Sequence, residues 1–116
     1  MLEGAHAETD AKNLANYLRN IKIPKYAVWA MMKNKEPDLF IKQFKGIFKK
    51  IITTPIDNEK NCMSANDLKS IAKKNQFNVD KANNFEEAIK IVSSSEKKLI
   101  NCIGSLYNVG NILNKN

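Results

Sequence analysis

The sequence predicts an α/β domain, with a mainly parallel sheet and helices on both faces. Three observations carry this. Apolar runs at residues 26–31, 51–53 and 99–103 read as strands buried on both sides. The segments between them carry apolar residues at helical spacing. The links are short, so each strand is reached through a helical crossover, right-handed by default.

The first helix opens near Asp10, an N-cap or first-turn acid. It sets Ala11, Leu14, Ala15 and Leu18 on one face and ends near Asn20, before Ile23-Pro24. The strand at 26–31 leads into a polar loop, Lys33-Asn34-Lys35-Glu36. Pro37 suits the first turn of the next helix, with Glu36 and Asp38 at its positive end. Leu39, Phe40, Phe44 and Ile47 form its expected buried stripe. The β-branched run 51–53 closes at Pro55, and 56–63 is a polar loop. Ser64-Ala65-Asn66-Asp67 has a capping-box layout with Asp in the acid's place. The helix behind it carries Leu68, Ile71 and Ala72 and runs out near Asn75. Phe77 and Val79 mark a short strand. Asn84 caps the next helix, with Glu86 and Glu87 in its first turn and Ala88, Ile89 and Val92 inward. Ser93-Ser94-Ser95 turn into the last apolar run. Beyond the Gly104-Ser105 turn, Leu106, Tyr107, Val109, Ile112 and Leu113 recur at helical spacing, so a closing helix is expected. Such a sheet usually begins with a strand, yet only Met1 and Leu2 precede Glu3-Gly4-Ala5-His6. The expectation is one N-terminally truncated domain, residues 1–116, with its first strand missing.

Composition narrows the function classes. The 116 residues suffice for one core. No apolar run approaches the ~20 residues of a membrane span, and no signal-peptide layout is present. Cys62 and Cys102 are unpatterned and read as free thiols of a cytosolic protein. His6 is the only histidine, which disfavours zinc. The net charge is +7, almost all from lysine, with Arg19 the only arginine. Lys42, Lys45, Lys49, Lys69, Lys73 and Lys74 are spread over several helices without an aromatic platform, and read as solvated faces rather than a nucleic-acid surface. Heavy use of Lys, Asn and Ile suggests an AT-rich bacterial genome, hence a bacterial cytoplasm.

Chemistry concentrates at Gly104-Ser105. A strand–turn–helix junction of this kind offers free backbone N–H groups to an anion at the carboxyl end of a strand. The plainer reading is a turn with an N-cap. A P-loop needs G-x-x-x-x-G-K-[S/T], and Gly4, Gly46, Gly104 and Gly110 supply no such pair. No Ser/His/Asp or paired-carboxylate constellation replaces it. No catalytic residue is assigned, and the chain alone is expected to catalyse nothing.

The closing segment CIGSLYNVGNIL resembles the G-S-L-Y-L-V-G strand–helix of the folylpolyglutamate synthase/dihydrofolate synthase family. Leu2-Glu3-Gly4-Ala5-His6 resembles its D-G-A-H-N-P, YAVWAMMKNKE its V-x-G-M-x-x-D-K-D, and residues 51–55 its v-i-x-T-x-P strand. The likeness covers essentially the whole chain. It implies the Rossmann-like C-terminal domain of a Mur-type, ATP-dependent amide ligase that adds glutamate to folate. It further implies that ATP and magnesium are held mainly by a P-loop ATPase domain outside this sequence, which would be the partner chain. Magnesium ligands and a cofactor are not expected on this chain alone. Carried over by residue, Glu3 takes the acidic position that reaches the ATP ribose, and His6 faces the cleft on the nucleotide side. Lys35 matches the lysine of D-K-D, suited to a phosphate or the glutamate carboxylate, and Ser105 matches the serine on the glutamate side. Each also has a plain structural reading: a solvated end residue, a helix-entry residue, a loop lysine and an N-cap. Glu3 stands for the family's Asp, Ala7-Glu8 for its Asn-Pro, Ala30 for its Gly, and Asn34 and Glu36 for its loop acids. The alternatives are a degenerate remnant or non-catalytic binding module and, less favoured, a basic nucleic-acid-binding domain with steep salt dependence.

Overall fold

The computed structural model describes residues 7–33, 35–56, 59–93, 98–104 and 111–113. The order is α1 (Ala7–Arg19), β1 (Lys25–Ala30), α2 (Pro37–Lys42), β2 (Lys50–Thr53), α3 (Ala65–Lys74), β3 (Val79–Lys81), α4 (Phe85–Val92), β4 (Leu99–Gly104) and β5 (Asn111–Leu113). One sheet holds all five strands in the order β3-β2-β1-β4-β5. β1 runs parallel to β2 and β4, and β2 parallel to β3. The chain therefore adopts the expected α/β class, four parallel strands flanked by helices.

The end of the chain departs from expectation. Residues 111–113 are a strand, antiparallel to β4, with Leu99 opposite Leu113 and Asn101 opposite Asn111. The spacing of Val109, Ile112 and Leu113 fits a helix. The open edge of β4 offers Asn111–Leu113 a full ladder of backbone partners, and tertiary pairing wins over local period. Residues 105–110, including the expected start of that helix, lie outside the described residues.

Two cores sit on the two sheet faces. On one face α1, α2 and α3 pack on Ala27, Trp29, Met31, Ile51 and Ile103. On the other, α4 packs on Val28, Ile52 and Ile100. Alternate residues of β1 serve opposite cores, which is why this strand reads as a continuous apolar run.

The helix ends follow the capping chemistry. The Ser64 Oγ accepts from Asp67 N at 3.0 Å, and the Asn84 Oδ1 from Glu87 N at 2.8 Å. α3 ends at Asn75, with Gln76 N donating to Lys73 O (2.9 Å) and Phe77 N to Ala72 O (3.0 Å). This is a Schellman closure that places Gln76 at φ +70°, a conformation glycine fits best. Asp10 is the fourth residue of α1, inside the helix rather than at its N-cap.

The stripe of α2 also differs. Leu39 is exposed, and Ile41 is buried in its place. α2 stops at Lys42, and the following turns bond three residues back, Phe44 N to Ile41 O and Ile47 N to Phe44 O, both at 3.0 Å. Bonds of that period eclipse side chains three apart, so Ile41, Phe44 and Ile47 line up on the core.

Lys98, next to β4, is buried. Its Nζ donates to the Val92 carbonyl at the end of α4 (2.6 Å) and lies 4.2 Å from the Tyr26 ring centroid. A cation at a helix carboxyl end over an aromatic face stabilises both.

Candidate functional site

The topology selects one place for a ligand. From β1 the chain steps to β2 and β3 on one side; α4 then carries it back to β4 on the other side of β1. The crevice outside the carboxyl ends of β1 and β4 is thus the switch point of the sheet, where open α/β sheets bind ligands.

Gly104 ends β4 opposite Ala30, the last residue of β1. Its φ is +80°, and a Cβ there would sit 2.1 Å from the Ala30 carbonyl oxygen and 2.9 Å from Trp29 Cδ1. Only glycine satisfies both conditions. The close backbone approach at Gly104 is made to the protein's own β1. Trp29 is wholly buried beneath it and stacks on Phe40 at 6.3 Å. Its Nε1 has no hydrogen-bond partner among the described residues. No motif marked Trp29 in the sequence; its place at the end of a strand was the only signal.

The β1–α2 loop forms the rim beside this turn. Met63 N donates to Met31 O and Lys33 N to Asn61 O, both at 2.8 Å, around an antiparallel bridge between Met32 and Cys62. These bonds tie the β1–α2 loop to the loop after β2. Lys35 N closes a turn on Met32 O at 3.3 Å, and the Lys35 side chain is partly exposed on the rim. Glu36 follows at φ 52° and ψ 64°, left-handed, and caps α2 without a side-chain bond. A non-glycine residue in this region costs about 1–2 kcal/mol, and such strain collects at functional loops.

The hydroxyls at the end of β2 serve the fold. Thr53 Oγ1 donates to Ala65 O at 2.8 Å and Thr54 Oγ1 to Pro55 O at 3.1 Å, and both residues are fully buried. The Cys102 thiol is pushed up to about 11 by burial, which removes it as a nucleophile. Cys62 Sγ accepts from Ile56 N at 3.4 Å. Among the described residues no group of three or more His, Cys, Asp or Glu side chains is disposed to hold a metal ion. None of the described helices is long and apolar enough to cross a membrane. Of the four site residues expected from sequence, Lys35 lies on the carboxyl edge; Glu3, His6 and Ser105 lie outside the described residues.

Comparison with known proteins gives a family. Residues 1–115 match the family described as dihydrofolate synthetase, C-terminal domain. No curated protein matches the sequence significantly. Among solved structures, folylpolyglutamate synthase of Mycobacterium tuberculosis complexed with ADP and AMPPCP is similar with a TM-score of 0.74 at 16% identity, over 97% of this chain and 30% of that one. Folylpolyglutamate synthase of Thermotoga maritima is similar with a TM-score of 0.69 at 25% identity, over 86% of this chain and 24% of that one. The bifunctional folylpolyglutamate synthase/dihydrofolate synthase of Yersinia pestis, complexed with AMPPNP and Mn ion, gives 0.68 at 19% identity, over 90% and 25%. The chain thus spans less than a third of the length of these enzymes. A match over nearly the whole sequence, on a sheet shared with these enzymes, makes this chain a member of the dihydrofolate synthetase C-terminal domain family.

Proposed function

We propose that this domain supplies the glutamate side and part of the nucleotide side of an ATP-dependent amide ligase that extends a folate with glutamate. The observation that carries the reading is the family match over residues 1–115. The rim geometry supports it, since the Lys35 loop borders the same switch-point crevice that Gly104 closes. In such a ligase the folate carboxylate is activated as an acyl phosphate with ATP, and the glutamate amine attacks the acyl carbon and displaces phosphate. The Lys35 ammonium balances the charge of the glutamate carboxylate or of a phosphate, and the Ser105 hydroxyl donates to a carboxylate oxygen. Glu3 accepts from ribose hydroxyls, with His6 beside the nucleotide. Magnesium and the triphosphate are held mainly by the P-loop region. This domain works in the bacterial cytoplasm with that region as its partner and turns over nothing by itself.

Reconstitution tests this. The chain is mixed with the P-loop half from the same organism, and ATP-dependent addition of glutamate to a reduced folate is followed, with each half alone as control. Activity in the mixture alone is the expected result. In that mixture Lys35→Ala and Ser105→Ala raise the KM for glutamate at least about tenfold, the loss of a charge-assisted hydrogen bond. Failure of the mixture to turn over, with both halves folded, would sink the ligase role.

A further inference from the structure

The lysines scattered in sequence gather in the fold. Every helix between parallel strands runs antiparallel to them, so helix carboxyl ends and strand amino ends share one edge of the sheet. All four described helices place bases in the last turn, and α2, α3 and α4 place acids in the first, the arrangement a helix dipole favours. Arg19, Lys42, Lys73, Lys74 and Lys90 lie in last turns, and Asp67, Glu86 and Glu87 in first turns. Asp38, in the first turn of α2, is the exception: its Oδ1 accepts from Asn75 Nδ2 at the end of α3 (2.9 Å), so it sits among the cations. Parallel packing adds these local preferences into a polarity of the whole domain. The edge opposite the switch-point crevice becomes cationic.

Hydrogen bonds across that edge make it one surface. Arg19 Nη2 donates to Lys45 O (3.4 Å), Lys45 Nζ to Gln76 Oε1 (3.3 Å), Asn78 Nδ2 to Lys49 O (3.4 Å) and Lys49 N to Lys25 O (2.8 Å). Arg19, Lys22, Lys45, Lys49, Lys73 and Lys74 are all exposed on it. The two acids of this edge, Asp38 and Asp80, are paired with Lys42 (3.2 Å) and Lys50 (2.7 Å), with Lys74 and Lys73 more distantly beside them; none of the six exposed cations forms an ion pair within 4 Å among the described residues.

We propose that this amino edge binds the phosphate backbone of a nucleic-acid duplex without reading its bases. Two features favour a duplex over an acidic protein surface. A protein partner needs a buried apolar anchor, and among the described residues the exposed large apolar side chains, Tyr17, Leu39 and Ile91, sit on three helices divided between the two sheet faces. Phosphates need only cations. Five of the six are lysines, point charges without the planar fork that reads guanine, so contact is with the backbone. Extents of 35 × 29 × 28 Å let about eight base pairs, at ~3.4 Å each, cross the domain.

The test is fluorescence anisotropy of a labelled random-sequence DNA duplex of about 20 base pairs, spanning two helical turns, titrated with the chain between about 50 and 200 mM salt. The six cations predict a loss of affinity of about a thousandfold over that range. K45E/K74E weakens binding at least about tenfold and lowers the salt slope by about 2. K12E/K60E, which removes equal charge elsewhere, costs less than about threefold on this local-contact argument. Should charge reversal unfold the chain, K45Q/K74Q replaces it, with the slope falling in the same sense. Equal losses from the two pairs would overturn the proposal, leaving net charge alone. So would absence of binding at the lowest salt. Competition by poly-glutamate as strong as by unlabelled duplex of equal charge would also overturn it, in favour of an acidic polypeptide.

Discussion

Gly104→Ala isolates what the end of β4 demands. The new methyl must adopt φ +80° and meet the Ala30 carbonyl at 2.1 Å. The left-handed backbone costs about 1–2 kcal/mol, and overpacking against an atom fixed in the β1–β4 ladder about 1–3 kcal/mol. Loss of glycine's freedom in the unfolded chain returns about 0.5–1 kcal/mol. The net is about 3 kcal/mol. With an unfolding entropy of about 2.1 cal/mol/K for each of the 116 residues, Tm falls by about 12 °C. Gly46→Ala is the control, because Gly46 has the same φ of +80° with nothing within 4 Å of its added Cβ. It costs about 0.5–1 kcal/mol, backbone alone. Urea unfolding of both variants, followed by the fluorescence of Trp29, the sole tryptophan, gives each loss by linear extrapolation. Equal losses at the two glycines would refute the steric argument and with it the close approach of β4 to β1.

Gln76→Gly relieves the left-handed residue after α3 and stabilises by about 0.5–1 kcal/mol, seen as a higher urea midpoint. The Asp80 carboxyl is held below its ordinary 3.8, first by the Lys50 hydrogen bond and against the opposing pull of burial. A depressed folded value stabilises above the unfolded pKa and is lost as pH falls through the folded one. Acid unfolding of Asp80→Asn should therefore be less steep below about pH 4 than in the parent. Cys102, with its thiol raised to about 11, reacts with a disulfide reagent at pH ~8 only on unfolding, whereas partly exposed Cys62 reacts in the native state.

The fold was legible wherever local pattern and tertiary demand agree. The double-sided burial of Val28 and Trp29 makes a run that reads as a central strand, and Ser64 and Asn84 announce helix starts because their oxygens have one local use. The end of the chain was misread because a period cannot see that β4 has an open edge for Asn111–Leu113. Ile41 was passed over for Leu39 because a spacing rule assumes an unbroken α-helix, and this one tightens after Lys42. At the candidate site, Gly104 was legible as a turn after one strand and Lys35 as a loop residue after another; that the two border one crevice follows only from the pairing of β1 with β4. Trp29 was not legible, since its role depends on which glycine lies above it. The cationic edge was invisible for the same reason: lysines remote in sequence share it only once the strands are parallel.

The central position of β1 carries a consequence for how the domain is made. Its two neighbours come from very different times in synthesis, β2 after one intervening helix and β4 only after three. Pairing so remote in sequence is slow to form. Until β4 emerges, one whole backbone edge of β1, from Lys25 to Ala30, stands open, with Ala27 and Val28 on it that the finished domain buries completely. A nascent chain stalled at that point is a sticky, half-zipped sheet, and the pairing of β4, with β5 at its back, is what covers that edge.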